Sequence, residues 1–368
     1  RWGRYGRLPR IPSKRFDPNP FYTMEKQEAY FEHPGKAVET DARFSHVMAL
    51  SLDPRSNYRE GVIRCITSRE GDIEVSGTID RSELHRVSGD SLEHFVIGER
   101  LSIANEEKII AELSAGGLDF IGLEDPDIFI DEDTAMMHLY FTMPFLDKVH
   151  DETLVYLGHA VGKNLDSLEM TTPVLMVDPI THAGAKEVSI APKNSKGIRY
   201  NLVESSDHQG GKDHFTYSIV RAAVATDMGS PWEFGETVFH PNEQKIPWIA
   251  GHASPGPLLP KSFIDAGEGR LLGIMNGCEA NQNLGDKIKY GTFSVGLFIY
   301  DYEHGKIDWV SPEPVIRDSQ AGTTRAITFA SQFVETDPGS GILYAHVDDS
   351  FVRAYTLYAD KIKNLLPK

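Results

Sequence analysis

Apolar residues in this chain recur with the period of strands, and they recur in copies. Met137 to Met143 (MHLYFTM), Thr153 to Val161 (TLVYLGHAV), Tyr217 to Val224 (YSIVRAAV), Phe293 to Tyr300 (FSVGLFIY) and Phe351 to Tyr358 (FVRAYTLY) are dense in β-branched and aromatic residues and bounded by Gly, Asn, Asp or Pro. Such runs suit a pleated, half-buried surface. Helical patterns are scarce; the exception is Asn105 to Leu113, where Ile109, Ile110 and Leu113 follow Glu106 and Glu107. A loose repeat runs through the strands: an apolar run ending in small or aromatic residues, a polar turn, then Trp, Leu or Ile. It reads Gly158-His-Ala-Val with Leu165 and Leu168, Arg221-Ala-Ala-Val with Trp232, Gly296-Leu-Phe-Ile with Trp309, and Arg353-Ala-Tyr-Thr with Ile362. Copies return roughly every 55 to 75 residues, the length of a propeller blade with its loops. With one more copy from the N-terminal region, the pattern predicts an all-β, five-bladed β-propeller whose inner strands converge on a central pocket.

The chain has 368 residues, 40% hydrophobic and 25% charged, enough for a large core and outside the disordered range. A repeated β architecture spends such a length as one domain, so residues 1–368 are expected to form a single propeller with residues 1–30 as an N-terminal arm. That arm is basic (Arg1, Arg4, Arg7, Arg10, Lys14, Arg15); it can be read as an anion-binding arm but better suits a solvated tail or a segment lying on a neighbouring subunit, which would allow a homo-oligomer through it. The whole chain carries 37 Lys and Arg against 54 Asp and Glu, a formal net charge of −17, which repels phosphate backbones and anionic lipid. Nucleic acid and membrane are therefore not expected partners.

Cys65 and Cys278 lie in separate apolar runs and read as buried free thiols. No segment reaches the roughly eighteen apolar residues of a membrane helix, and the first residues lack the apolar core of a signal peptide, so a cytoplasmic location is expected. The fourteen histidines show no His-Glu-x-x-His, and the cysteines no Cys-x-x-Cys, so no metal or other cofactor is expected. Asp131-Glu-Asp133 reads as a hairpin turn rather than a calcium loop. Gln209-Gly-Gly-Lys212 lacks the glycine spacing that cradles phosphate.

One stretch carries chemistry. In Gly122-Leu-Glu-Asp-Pro-Asp-Ile-Phe-Ile130 two carboxylates abut a proline and run into an apolar strand, with a third at Asp127. Alternation should put Asp125 and Asp127 on one face and Glu124 on the other, unless the proline lies in a bulge. Crowded carboxylates raise one another's pKa, which keeps a general acid protonated near neutral pH. The same residues also read as an acidic loop before an edge strand.

The segment resembles the Gly-x-Glu-Asp-Pro-Arg-Ile motif of glycoside hydrolase family 130, the β-mannoside phosphorylases and β-mannosidases. The resemblance implies a five-bladed propeller and the role of catalytic acid for Asp125, with Asp127 standing where the family has Arg. Further matches follow in order. Lys186-Glu-Val-Ser-Ile-Ala-Pro-Lys193 is similar to Lys-Asp-x-x-Leu-Phe-Pro-Glu, and Trp248 to Pro257 (WIAGHASPGP) to Trp-x-Ser-Gly-x-x-Gly-Ala-Gly-Pro. Met275-Asn-Gly277, Tyr290, Ser294-Val-Gly296 and Ser311-Pro-Glu-Pro-Val315 resemble Tyr-His-Gly, Tyr-x-x-Gly and Thr-Pro-Glu-Pro. Tyr344 to Val352 (YAHVDDSFV) resembles Tyr-Tyr-Gly-Ala-Ala-Asp-Thr-Val-Val and places Asp349 on a substrate-contacting aspartate. Together they cover about two thirds of the chain, from about residue 120 onward; before that only His33-Pro-Gly35 resembles the family's Asn-Pro-Gly.

A phosphorylase must fix phosphate with several cations, Arg above all. An anion at Asp127 opposes this by about 1 kcal/mol at 4 Å even in bulk-like solvent. A hydrolase needs a carboxylate to activate water, roughly 6.5 to 9.5 Å from the acid for inversion. Glu187, beside Lys186, is the candidate base, with Glu204 and Glu279 in reserve; its plainer reading is an ion pair with Lys193. Glu124, Asp127, Lys186, His252, Asn276, Tyr290 and Asp349 are the candidate substrate-binding residues, and Tyr290 and Trp248 read either as sugar platforms or as core. The expected activity is inverting hydrolysis of β-mannosides or related short oligosaccharides. The alternatives are phosphorolysis using Lys186 and an inactive sugar-binding propeller.

Overall fold

The period-two runs lie in antiparallel meanders. The computed structural model describes residues 28–72, 78–208, 216–229, 231–289, 291–317 and 327–368. After β1 (Tyr30–Val38), the strands β2 (Val47–Leu52), β3 (Glu60–Glu70), β4 (Ile79–Ser88) and β5 (Val96–Arg100) pair in sequence order. Helix α1 (Glu106–Leu113) leads to a sheet of β6 (Asp119–Phe120), β7 (Glu124–Ile130), β8 (Met137–Asp147), β9 (Glu152–Gly162) and β10 (Glu169–Met170). Next come β11 (Lys186–Ser189), β12 (Arg199–His208), β13 (Thr216–Ala225) and β14 (Glu233–Phe239), and then α2 (Pro241–Gln244). The meander of β15 (His252–Leu258), β16 (Arg270–Cys278), β19 (Phe293–Asp301) and β20 (Lys306–Val310) is interrupted by a small hairpin, β17 (Gln282–Asn283) and β18 (Ile288–Lys289). It joins the preceding meander through one parallel pair, Ser218 with His252. Last are β21 (Thr328–Asp337), β22 (Ser340–Val347), β23 (Phe351–Tyr358) and α3 (Ala359–Lys363).

The sequence repeats fall on β9, β13, β19 and β23, each the third long strand of its meander. After β23 the chain turns into α3, so Ile362 is in a helix, and the vacant edge is filled by β1, which pairs with β23 from Tyr30 opposite Leu357 to Val38 opposite Val352 with two register shifts between. The expected arm thus yields to a strand at Tyr30; residues 1–27 and Gln209 to Lys212 lie outside the described residues.

The first strand of each meander packs on the next: β2 on β7, β7 on β11, β11 on β15, β15 on β21 and β21 back on β2. Side chains stitch this ring. The Ile128 N–H donates to Ser51 Oγ at 2.9 Å, Ser189 Oγ donates to Gly256 O at 2.6 Å, and Ser331 Oγ donates to Leu50 O at 2.8 Å. Each of these strands is bulged at a similar place: between Met48 and Ser51, Glu124 and Asp127, Lys186 and Ser189, Pro255 and Leu258, Ala330 and Gln332. A bulge bends a strand and re-aims its side chains.

Apolar clusters fill the space between neighbouring sheets. One brings Leu50, Ile63 and Val87 of the first meander against Tyr344 and Val352 of the last; another packs Tyr140 with Val203, Ala223 and Trp232. Each such side chain contributes about 1.5–3 kcal/mol on burial. Trp248 is buried among Phe298 and Tyr300, with its indole N–H donating to Ser311 O at 2.9 Å, so it is core rather than a sugar platform. Ile109, Ile110 and Leu113 of α1 pack on the core beside β8. Both thiols are buried and outside any disulfide, and burial pushes that of Cys65 up to about 12. Among the described residues no helix is long and apolar enough to cross a membrane.

Candidate active site

A cavity of about 190 Å³ lies on the axis of the ring and is lined by residues of all five inner strands, among them Asp125, Asp127, Glu187, Ser189 and Gln332. Two of the bulges hold charged residues in the left-handed region, Asp125 at φ 47° and Glu187 at φ 52°. Such a conformation costs an L-residue on the order of 1–3 kcal/mol and persists where the surroundings impose it. The bulge also departs from simple alternation. Glu124 and Asp125, expected on opposite faces, both meet the buried Arg64 of β3, at 2.8 Å from Nη2 and 3.0 Å from Nη1, while Asp127 turns into the axial cavity. Arg64 Nε donates to Ser82 Oγ at 3.2 Å, which completes its fork.

The charges set one another. Burial works against the Arg64 cation, but Glu124 and Asp125 more than offset it and hold the guanidinium above its ordinary value. Burial, aided by Asp125 and opposed by Arg64, pushes Glu124 up to about 7. Burial alone pushes Asp127 up to about 7. Glu187 is raised well above the carboxylate range by burial, by the charge of Asp125 and by a hydrogen bond to Asp125. Glu187 therefore favours its protonated form beside Asp125.

Glu204 on β12 lies opposite Lys186 in register. Its Oε1 is 3.5 Å from Lys186 Nζ and 3.1 Å from His252 Nε2. Although burial works to raise it, the charges of His252 and Lys186 bring Glu204 down to about 2. Lys186 is in turn held above its usual value, by Glu204 first.

Opposite runs an aromatic wall. His252 meets Phe293 edge-on at 4.9 Å, Phe293 lies 6.0 Å from Phe329, and Phe329 stacks on His346 at 5.2 Å. His346 Nε2 is 3.2 Å from Asp349 Oδ1. Asp349, at φ 47°, accepts from Arg69 through its carbonyl at 3.3 Å, and Arg69 is paired with Asp80 at 2.7 Å. The Asp349 charge is close enough to act on Arg64.

Of the residues singled out in the sequence, the structure thus gathers Glu124, Asp125, Lys186, Glu187, Glu204, His252 and Asp349 around one end of the ring. Asn276 is different. It is fully buried, donating to Ala330 O at 2.9 Å and accepting from Ala330 N at 2.8 Å, so its amide braces β16 to β21 instead of facing a sugar. Glu279 pairs with Arg317 at 3.1 Å. Lys193 pairs with Asp133, not with Glu187. Tyr290 lies outside the described residues. Arg64 was not singled out, although a lone arginine inside the apolar run Val62-Ile-Arg-Cys-Ile66 signals a buried, paired charge. Among the described residues, Asp147, His150 and Glu152 form a group of metal-ligating type, but they sit on the exposed β8–β9 hairpin, where His150 pairs with Asp147 at 2.6 Å.

This fold is shared with known carbohydrate-active enzymes. The chain is similar to a β-1,2-mannobiose phosphorylase from Listeria innocua, solved with β-1,2-mannobiose, at a TM-score of 0.59 and 14% identity over 88% of this chain and 92% of that one. It is similar to a structure from the family 130 mannoside phosphorylases, a family containing glycoside hydrolases that target β-1,2-mannosidic linkages in Candida mannan, at a TM-score of 0.58 and 16% identity over 85% and 84%. A glycosyl hydrolase from Bacteroides ovatus follows at a TM-score of 0.56 and 17% identity over 89% and 88%. The fold is therefore family 130-like. No family model matches the chain, and no curated protein matches it.

Proposed function

We propose that this chain is a five-bladed β-propeller in a single domain and an inverting glycoside hydrolase acting on β-mannosides or related short oligosaccharides. The closed ring of inner strands and the placement of β1 on β23 support the architecture. Asp125 is the acid, delivering its proton directly or through a sugar hydroxyl. Glu187 is the base. Asp125 gives its proton to the leaving oxygen and Glu187 takes one from the attacking water, a strong base because its site disfavours the anion. Their contact is closer than inversion requires, so the sugar and the attacking water enter between them and part them. Glu204, its charge spent on Lys186 and His252, positions Lys186. Asp349 and His252 flank the sugar.

The observation that favours water over phosphate is the pairing of cations. Around this end of the ring, among the described residues, Arg64 is held by Glu124 and Asp125, Lys186 by Glu204, Arg69 by Asp80 and Arg317 by Glu279. A phosphate dianion would have to break such pairs and sit beside the Asp125–Glu187 couple. The test is to incubate the protein with β-linked manno-oligosaccharides, with and without inorganic phosphate, and follow the anomers by NMR. Hydrolysis gives free sugar of α configuration first, at a rate indifferent to phosphate. A sugar 1-phosphate as main product would replace this reading by a phosphorylase, and binding without turnover by an inert sugar-binding propeller.

A further inference from the structure

A second cavity, of about 330 Å³, adjoins the strand ends that carry His252 and takes no part in the chemistry above. Its walls come from Tyr217, Asn242, Lys245, Pro247, Gly251 and Asn281, together with Thr216, Pro241, Ala250 and Ala280. We propose that it is a subsite for a neutral sugar residue of the substrate chain beyond the bond that is cleaved; the inference rests on the glycosidase reading and adds that the enzyme prefers chains longer than a disaccharide.

Continuity places the cavity in line with the site. Gly251 immediately precedes His252 and donates to Cys278 O at 2.9 Å, and Cys278 is the register partner of His252. Ala280 and Asn281 continue from that same strand, and Tyr217 precedes Ser218, the parallel partner of His252. Close approach is built in at Gly251, where an added Cβ would stand 2.5 Å from Glu279 O and 2.9 Å from Ala280 Cα. A chain leaving a sugar beside His252 therefore crosses directly into this cavity.

Its chemistry suits a sugar. Tyr217 brings a ring, the prolines and alanines an apolar floor, and Asn242 and Asn281 amides that both donate and accept, as neighbouring hydroxyls require. Among the described residues no carboxylate lines it, in keeping with a neutral sugar. The walls are fixed in advance. His240 accepts from the Asn242 N–H at 3.2 Å, its Nε2 is 2.8 Å from Asp207, and its ring lies 5.2 Å from that of Tyr217. Binding in a pre-formed cleft loses little to ordering.

The experiment is calorimetry of the Asp125→Asn protein, which binds without turning over, against β-manno-oligosaccharides of two, three and four units, alone and combined with Tyr217→Ala or Asn242→Ala. The parent should bind the trisaccharide about tenfold more tightly than the disaccharide, roughly one or two hydrogen bonds' worth. Either added substitution should erase that gain while leaving disaccharide affinity unchanged, which also shows that the variant is folded. Equal affinity for all lengths, or a gain that survives both substitutions, overturns the subsite and leaves the glycosidase reading standing. Failure of the parent to bind any of the three overturns both.

Discussion

Arg64 Nη1 donates to Asp125 Oδ1 at 3.0 Å across 61 residues of sequence, from the second strand of one meander to the first strand of the next. Asp125, the proposed acid, is thus held by a neighbouring sheet rather than by its own. Replacing Arg64 with Met would leave Glu124 and Asp125 facing each other in a buried site without the cation that pairs them, Lys186 being the remaining charge nearby. Breaking such a pair on one side costs about 3–5 kcal/mol. Arg64→Met should unfold at markedly lower temperature and lose turnover, whereas Arg64→Lys, which keeps the charge but not the fork, should fall between. Thermal unfolding and kcat measured on both variants check this; a Met variant as stable as the parent would show that the pair is not structural.

Asp127 titrates in the opposite sense to a salt-bridged carboxylate. Its folded value of about 7 lies above the ordinary 3.8, so between these values the folded state binds the proton more tightly. The stability tied to that proton is complete below about 3.8 and is lost as pH rises through 7. Asp127→Asn stays neutral throughout. The variant should match the parent near pH 4 and melt a few degrees higher at pH 8, as melting curves across that range would reveal. A parent with the advantage at pH 8 would mean that the ionised carboxylate has a partner.

Much of this was legible in the sequence, because strand period and turn residues are local signals. The runs at 137–143, 153–161, 217–224, 293–300 and 351–358 all lie within strands, and Asn105 to Leu113 contains α1. What escaped was non-local. Nothing in Tyr30 to Val38 announces that it pairs with β23 more than 300 residues later. Alternation failed at Asp125 because the bulge places a left-handed residue before proline, and a period-two count cannot see one extra residue in the ladder. Asn276 looked like a sugar ligand because a polar side chain in an apolar strand suits either role; the brace to Ala330 depends on which strand passes beside it.

Two buried histidines are expected to make the protein sensitive to acid. His138 Nδ1 lies 2.8 Å from His159 Nε2, and His159 Nδ1 2.7 Å from Thr171 Oγ1. Burial, with the neighbouring His138, pushes His159 from 6.5 down to about 3. Between those values the unfolded chain binds a proton that the native site refuses, so stability falls as pH drops below about 6.5. His159→Gln should be less stable at pH 7 yet lose less on acidification to pH 4.5. Denaturant unfolding at the two pH values gives the comparison, and equal losses would rule out His159 as the sensitive group.

The roles of the three carboxylates separate under rescue by azide, a small anion that attacks without a base. If Glu187 activates water, Glu187→Ala should lower kcat by about 10²–10⁴, and added azide should restore turnover with a glycosyl azide as product. Asp125→Ala should be rescued only for substrates whose leaving group departs without a proton, since azide cannot supply one. Glu204→Ala removes the carboxylate that Lys186 and His252 share and that they bring down to about 2. Azide should give it no glycosyl azide, because the water-activating group is still in place, and its kcat should fall because Lys186 loses the carboxylate that positions it. Glycosyl azide from Glu204→Ala and none from Glu187→Ala would exchange their roles, making Glu204 the base and leaving Glu187 to share its proton with Asp125.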